Sequence, residues 1–106
     1  MGKYLVMASY TAEGAKGLMK DGGTKRRQAA EQAIKSAGGK LEAFYFAFGD
    51  NDAFVIIDAA DHATIASASL AINASGAVHT KTVVLLTPEE IDQATKKGTT
   101  YVPPGR

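Results

Sequence analysis

The chain has 106 residues, 45% of them hydrophobic and 22% charged, with a formal net charge of +1 and no cysteine. That balance gives one globular domain with a core of its own and excludes a disordered chain. It also excludes a strongly basic nucleic-acid binder and, with no thiol, any disulfide, cysteine nucleophile or thiolate metal site.

In chain order, residues 3–10 are rich in strand formers and predict a first strand ending at Thr11. The opening apolar run stops too soon for a signal peptide, and no stretch approaches the ~20 apolar residues of a membrane span. A cytoplasmic protein with no membrane partner is therefore expected. Residues 11–20 predict a short helix, weakened by Gly14 and Gly17, and Asp21-Gly22-Gly23 predicts a break. Thr24 is expected to cap a helix to Ala37, stopped by Gly38-Gly39. It should bury Ala29, Ala30, Ala33, Ile34 and Ala37, small side chains suited to a close approach to the surface beneath.

Residues 40–48 predict the second strand and residues 49–52 a turn rich in Asp, Asn and Gly. Residues 53–58 predict a third strand paired back as a hairpin. Asp61 caps a helix to about Ala74, stopped by Gly76, and residues 78–86 predict the last strand. Thr87-Pro88-Glu89-Glu90 has a cap, a first-turn proline and a glutamate three residues on, which predicts a final helix to Gly98. The domain then covers residues 1–98, with an extended tail over 99–106.

The order β-α-β-β-α-β plus a C-terminal helix is the split βαβ arrangement. It predicts an α+β, ferredoxin-like antiparallel sheet with its helices on one face. Strict alternation along the second strand sends Leu41, Ala43, Tyr45 and Ala47 to one side and Phe44, Phe46 and Phe48 to the other. Both faces are apolar, whereas a half-solvated strand has a polar outer face. A large apolar patch needs a cover. A second copy of the chain, sheet to sheet, is the expected one, with the C-terminal helix or tail as the alternative.

Several segments together resemble the GYD-domain family of small bacterial proteins. They are Gly38-Gly39-Lys40-Leu41, Phe44-Tyr45, Gly49, Asp52 before a β-branched run, Asp61 opening a helix, and Gly76-Ala77-Val78-His79-Thr80-Lys81-Thr82. The resemblance spans about residues 3–95. It implies a ferredoxin-like fold and a dimeric α/β-barrel assembly, and it implies no particular activity. Asn51 stands where the family's name-giving turn has tyrosine, and His79 where the last strand usually has arginine.

Four residues form the candidate ligand site: Arg27, Tyr45, Asp52 and His79. Lys25, Arg26 and Arg27 lie in a helix's first turn, where cations oppose the macrodipole; an anion beside Arg27 explains them, as does a solvated turn paired with Asp21 or Glu31. Tyr45 belongs to a cluster of aromatic residues suited either to a pocket wall or to an interface. Asp52 satisfies turn geometry and is equally able to bind a ligand. His79 is a base near neutral pH where a cleft covers it, and a rim residue otherwise. His62 with Asp58 fits no metal-ligand spacing, so no metal and no cofactor is expected. Recognition of RNA by the sheet is not expected either, since the glycine-aromatic strand pattern and a basic stripe are both missing.

The expected function is a homo-oligomeric small-molecule-binding protein with a modest apolar cavity for an aromatic or acidic molecule. Two alternatives stand beside it. One is a cofactor-free dimeric-barrel enzyme of monooxygenase or isomerase type. The other is a structural or partner-binding module in which Tyr101-Val102-Pro103-Pro104 docks on a neighbour.

Overall fold

The computed structural model describes residues 2–106. Its elements are β1 (Gly2–Tyr10), α1 (Ala12–Asp21), α2 (Gly23–Ser36), β2 (Lys40–Phe46), β3 (Ala53–Ala59), α3 (His62–Ala74), β4 (Val78–Leu85) and α4 (Pro88–Thr95). The four strands form one antiparallel sheet of order β2-β3-β1-β4. Among the described residues no helix is long and apolar enough to cross a membrane.

Alternation decides which side of each strand is covered. Tyr4, Val6 and Ala8 of β1 and Ala53, Val55, Ile57 and Ala59 of β3 are all buried beneath the helices, where Ile34 of α2 and Ile65 of α3 meet them. Strand β2 departs from simple alternation. Its register against β3 slips between Leu41 and Ala43, so two residues stand where one partner would. Such a bulge reverses the facing of the residues beyond it. Leu41 therefore shares the helix side with Phe44, and both pack on the core, whereas strict alternation separates them. The strand also stops at Phe46, leaving Phe48 fully exposed in the loop.

A single glycine organises the first crossover. Thr11 caps α1 by accepting from the Gly14 N–H, and α1 runs to Asp21. Gly22, at φ 83°, closes α1 by donating to the Leu18 carbonyl and is itself the residue from which α2 starts. Thr24 thus lies inside α2 instead of capping it, because the left-handed turn at Gly22 costs a glycine little and needs no side-chain cap. Helix α3 is capped as its sequence predicts, Asp61 Oδ1 accepting from Thr64 N and Oγ1 at 2.8 Å each. These bonds hold the Asp61 carboxyl below its ordinary pKa range. Asn73 ties α3 to β4, its amide spanning Thr80 N (3.0 Å) and Thr80 Oγ1 (2.8 Å).

The C-terminal arm stands apart. Helix α4 forms its capping box through Thr87 and Glu90 but ends at Thr95, short of Gly98, and makes no substantial contact with any other element. It does not cover the sheet. The radius of gyration is 16.8 Å, against the ~13 Å of a compact domain of about 100 residues. Leu86, Ile91, Tyr101 and Val102 along this arm are all exposed.

Candidate functional site

The helix side of the sheet is not packed solid. A cavity of about 190 Å³ lies between the sheet and the pair α2–α3. Val6, Ala8, Ala53, Val55, Ile57 and Val78 form its floor, with Phe44 at one side. Its walls come from two stripes of helical spacing. One is Arg26, Ala29, Ala30, Ala33 and Ile34 on α2; the other is Ile65, Ala68, Ser69, Ile72 and Ser75 around α3. The alanines of α2 do not bring that helix down onto the sheet, as their size predicts. Ile34 alone on α2 is fully buried, and the alanines leave room above the strands instead.

Polar groups gather where Tyr10, Arg26, Ser75 and Thr80 border the cavity. Two of the hydroxyls are already engaged. Thr80 accepts from Asn73, and Ser75 Oγ donates to the Ile72 carbonyl at 2.7 Å. Tyr10 is held by its backbone, whose N–H donates to Asp52 Oδ2 at 2.8 Å. Burial pushes the Tyr10 phenol above its ordinary range, and the neighbouring Arg26 guanidinium partly opposes that. A phenol is neutral at physiological pH in any case, so the hydroxyl can donate.

The structure distributes the four residues predicted from sequence. Arg27 and Tyr45 come together with Glu31 and Glu42 in a depression of about 490 Å³ along the free edge of β2. That depression is larger than the cavity but mostly polar, and offers little apolar surface to remove from water. Tyr45 is exposed on the open face of the sheet. Asp52 serves the backbone, accepting from Tyr10 N while its own N–H donates to the Ala8 carbonyl at 2.8 Å. Asn51, in the place of the family tyrosine, accepts a long bond from Ser9 Oγ at 3.4 Å. His79 is exposed on the opposite edge strand, paired in register with Ser9.

Sequence reasoning placed Arg26 in the basic helix start and Tyr10 among the clustered aromatics, but carried neither into the candidate site. The signal was present: Arg26 precedes Ala29, Ala30, Ala33 and Ile34 at the spacing of one helical face, and Tyr10 continues the buried series Tyr4, Val6, Ala8. His62 has a different occupation, its Nδ1 lying 2.8 Å from Tyr4 Oη with the rings edge to face. Among the described residues no three His, Asp or Glu side chains gather in a way that would hold a metal ion.

In comparison with known proteins, the family model described as the GYD domain matches residues 4–95. No curated protein and no solved structure matches the chain.

Proposed function

This chain belongs to the GYD-domain family, and we propose that it is a small-molecule-binding protein whose ligand lies in the cavity between the sheet and α2–α3. The observation that carries this reading is the lining. Alanine or serine recurs at Ala29, Ala30, Ala33, Ala68 and Ser69, where larger side chains would close the space. At ~24 cal/mol per Å³, an empty apolar space of about 190 Å³ costs up to roughly 4–5 kcal/mol, an upper bound for a cavity with a polar mouth. A domain that used its core only for stability would be better filled. Catalysis of monooxygenase or isomerase type is less well supported. The only ionisable side chains in the lining are Tyr10 and Arg26, neither a base near neutral pH, and His79 sits on the other face of the sheet.

Native mass spectrometry of the protein as purified, with Ala33→Phe as the blocked form, tests the reading. A bound small molecule should appear in the wild type and be absent from a folded Ala33→Phe. Equal occupancy in the two, or a stable wild type for which no compound raises Tm, would remove the cavity from consideration.

A second reading concerns assembly. The strand order and the two helical crossovers support a ferredoxin-like domain, and the open face supports pairing of copies as a dimeric α/β barrel. Leu5, Met7, Phe54, Ile56, Val83 and Leu85 alternate onto that face with no helix over them. The arm's exposed Ile91 and Tyr101 are then surfaces for the neighbouring copy. Light scattering after size exclusion should give twice the monomer mass, and Ile56→Lys should return it to that of one chain. A monomeric wild type would end this reading and leave the cavity untouched.

A further inference from the structure

We propose that the ligand of the cavity is a small monocarboxylate, with a body of about one ring or a branched alkyl chain lying over the α2 alanines and its acid group beside Arg26. The inference rests on the ligand-binding reading above and adds to it the chemical class of the ligand.

Charge comes first. Arg26 is the only charged side chain in the lining. Among the described residues it has no carboxylate within ion-pair distance; Lys25 is the cation that pairs with Asp21, at 3.8 Å. Asp52 is near enough to act on the Tyr10 phenol, but it is not in the lining, and its Oδ2 accepts from the Tyr10 N–H. A half-buried guanidinium without a counter-ion is an unmet electrostatic demand, which a ligand carboxylate satisfies with paired, charge-assisted hydrogen bonds.

Hydrogen-bonding capacity points the same way. Arg26 only donates. The Tyr10 hydroxyl, beside Arg26, is a neutral phenol near neutral pH and so also has a proton to offer. Ser75 Oγ both donates and accepts within the protein, while Thr80 Oγ1 accepts from Asn73 and keeps its own O–H to donate. The mouth thus presents donors, and the group that fits it is rich in acceptors. One cation matches one negative charge; a phosphate monoester near neutral pH carries close to two, with no second cation in the lining to meet the other.

Size and depth set the remainder. An apolar cavity of about 150 Å³ accommodates benzene, so about 190 Å³ holds one ring together with a short acid group. Below the mouth, only Val, Ile, Ala and Phe side chains meet the ligand apart from Ser69, which excludes sugars and other polyols by the cost of burying unpaired hydroxyls.

Calorimetry with three matched probes (benzoate, benzyl alcohol and benzylamine) tests the inference on the full chain. Benzoate should bind wild type about ten- to hundredfold more tightly than benzyl alcohol, the range of one charged hydrogen-bonded contact, and benzylamine should not bind. In Arg26→Gln the preference for benzoate should disappear while benzyl alcohol is unaffected; Arg26→Lys should retain part of it and guards against a folding defect. Arg27→Gln should behave as wild type. Equal binding of benzoate and benzyl alcohol by wild type, or a benzoate preference that survives Arg26→Gln, overturns the carboxylate and leaves the cavity reading standing. Loss of the preference in Arg27→Gln instead moves the anion to the β2 edge and overturns the inference as stated. If no probe binds wild type, and no other compound raises its Tm, the cavity reading itself fails and the inference falls with it.

Discussion

Gly14→Ala sets two forces against each other inside α1, and the structure decides between them. In an exposed helix interior, alanine in place of glycine stabilises by about 1 kcal/mol. Here the new Cβ would lie 2.0 Å from the Ala77 carbonyl oxygen, 3.0 Å from its carbon and 2.9 Å from Tyr10 Cδ1. Relief requires the helix and the start of β4 to part by about an ångström. The same carbonyl accepts from Thr11 N at 3.0 Å and Thr11 Oγ1 at 3.2 Å, so that movement also strains the junction holding α1 in place. Overpacking costs typically 1–3 kcal/mol or more, and loss of one backbone hydrogen bond about 1 kcal/mol. Against the propensity gain, a net loss of about 1–3 kcal/mol is expected. At 4–8 °C per kcal/mol for a domain near this size, Tm should fall by roughly 4–24 °C. Urea unfolding monitored by circular dichroism measures the first number and calorimetry the second. A Gly14→Ala protein as stable as wild type, or more so, would mean that propensity wins and that the α1–β4 contact is looser than 2.0 Å implies.

Asp52→Ala removes the acceptor for the Tyr10 N–H and should cost about 1–3 kcal/mol. Asp52→Asn keeps an acceptor oxygen and should cost clearly less, so urea midpoints that drop equally for the two would show that the charge matters beyond the hydrogen bond. Tyr10 makes stability sensitive to alkali. Its pKa is raised in the folded protein, chiefly by burial, so its contribution is fully present below the unfolded value of about 10 and is lost as pH rises through the folded one. Between pH 9 and 11 the wild type should lose stability faster than Tyr10→Phe, and parallel curves would count against the shift.

The elements were legible because each is specified locally. Thr11, Asp61 and Thr87 all cap where side-chain chemistry requires, and the strand formers of β1 and β3 marked both strands, although their apolar residues on both faces left the buried one unassigned. The failures share one cause, which is that a neighbour decided the outcome. Gly22 closes α1 and starts α2, so the break contracted to one residue and Thr24 lost its expected role. The bulge at Leu41–Ala43 arises from pairing with β3, and nothing in the residues 40–48 taken alone shows a slip. The C-terminal helix formed as its capping box dictates yet found no surface in its own chain, and helix formation says nothing about docking.

The sequence candidate was Arg27 and the proposed site uses Arg26, one position away, and the geometry of a helix explains why that matters. Successive residues are ~100° apart around the axis, so Arg26 and Arg27 cannot serve the same place. Their shared chemistry made both look suited to an anion. What separates them is the company each keeps: Arg26 lies in line with Ala29, Ala30, Ala33 and Ile34, while Arg27 turns toward Glu31, Glu42 and Tyr45 at the sheet edge. Glu31 and Glu42 line the depression with Arg27, Glu42 also pairing with Lys3 at 2.6 Å, whereas no carboxylate lines the cavity with Arg26. A guanidinium becomes a recognition group when its surroundings are apolar and its counter-ion is missing. By that criterion the spacing of the alanines is a better guide to the binding cation than the charge itself.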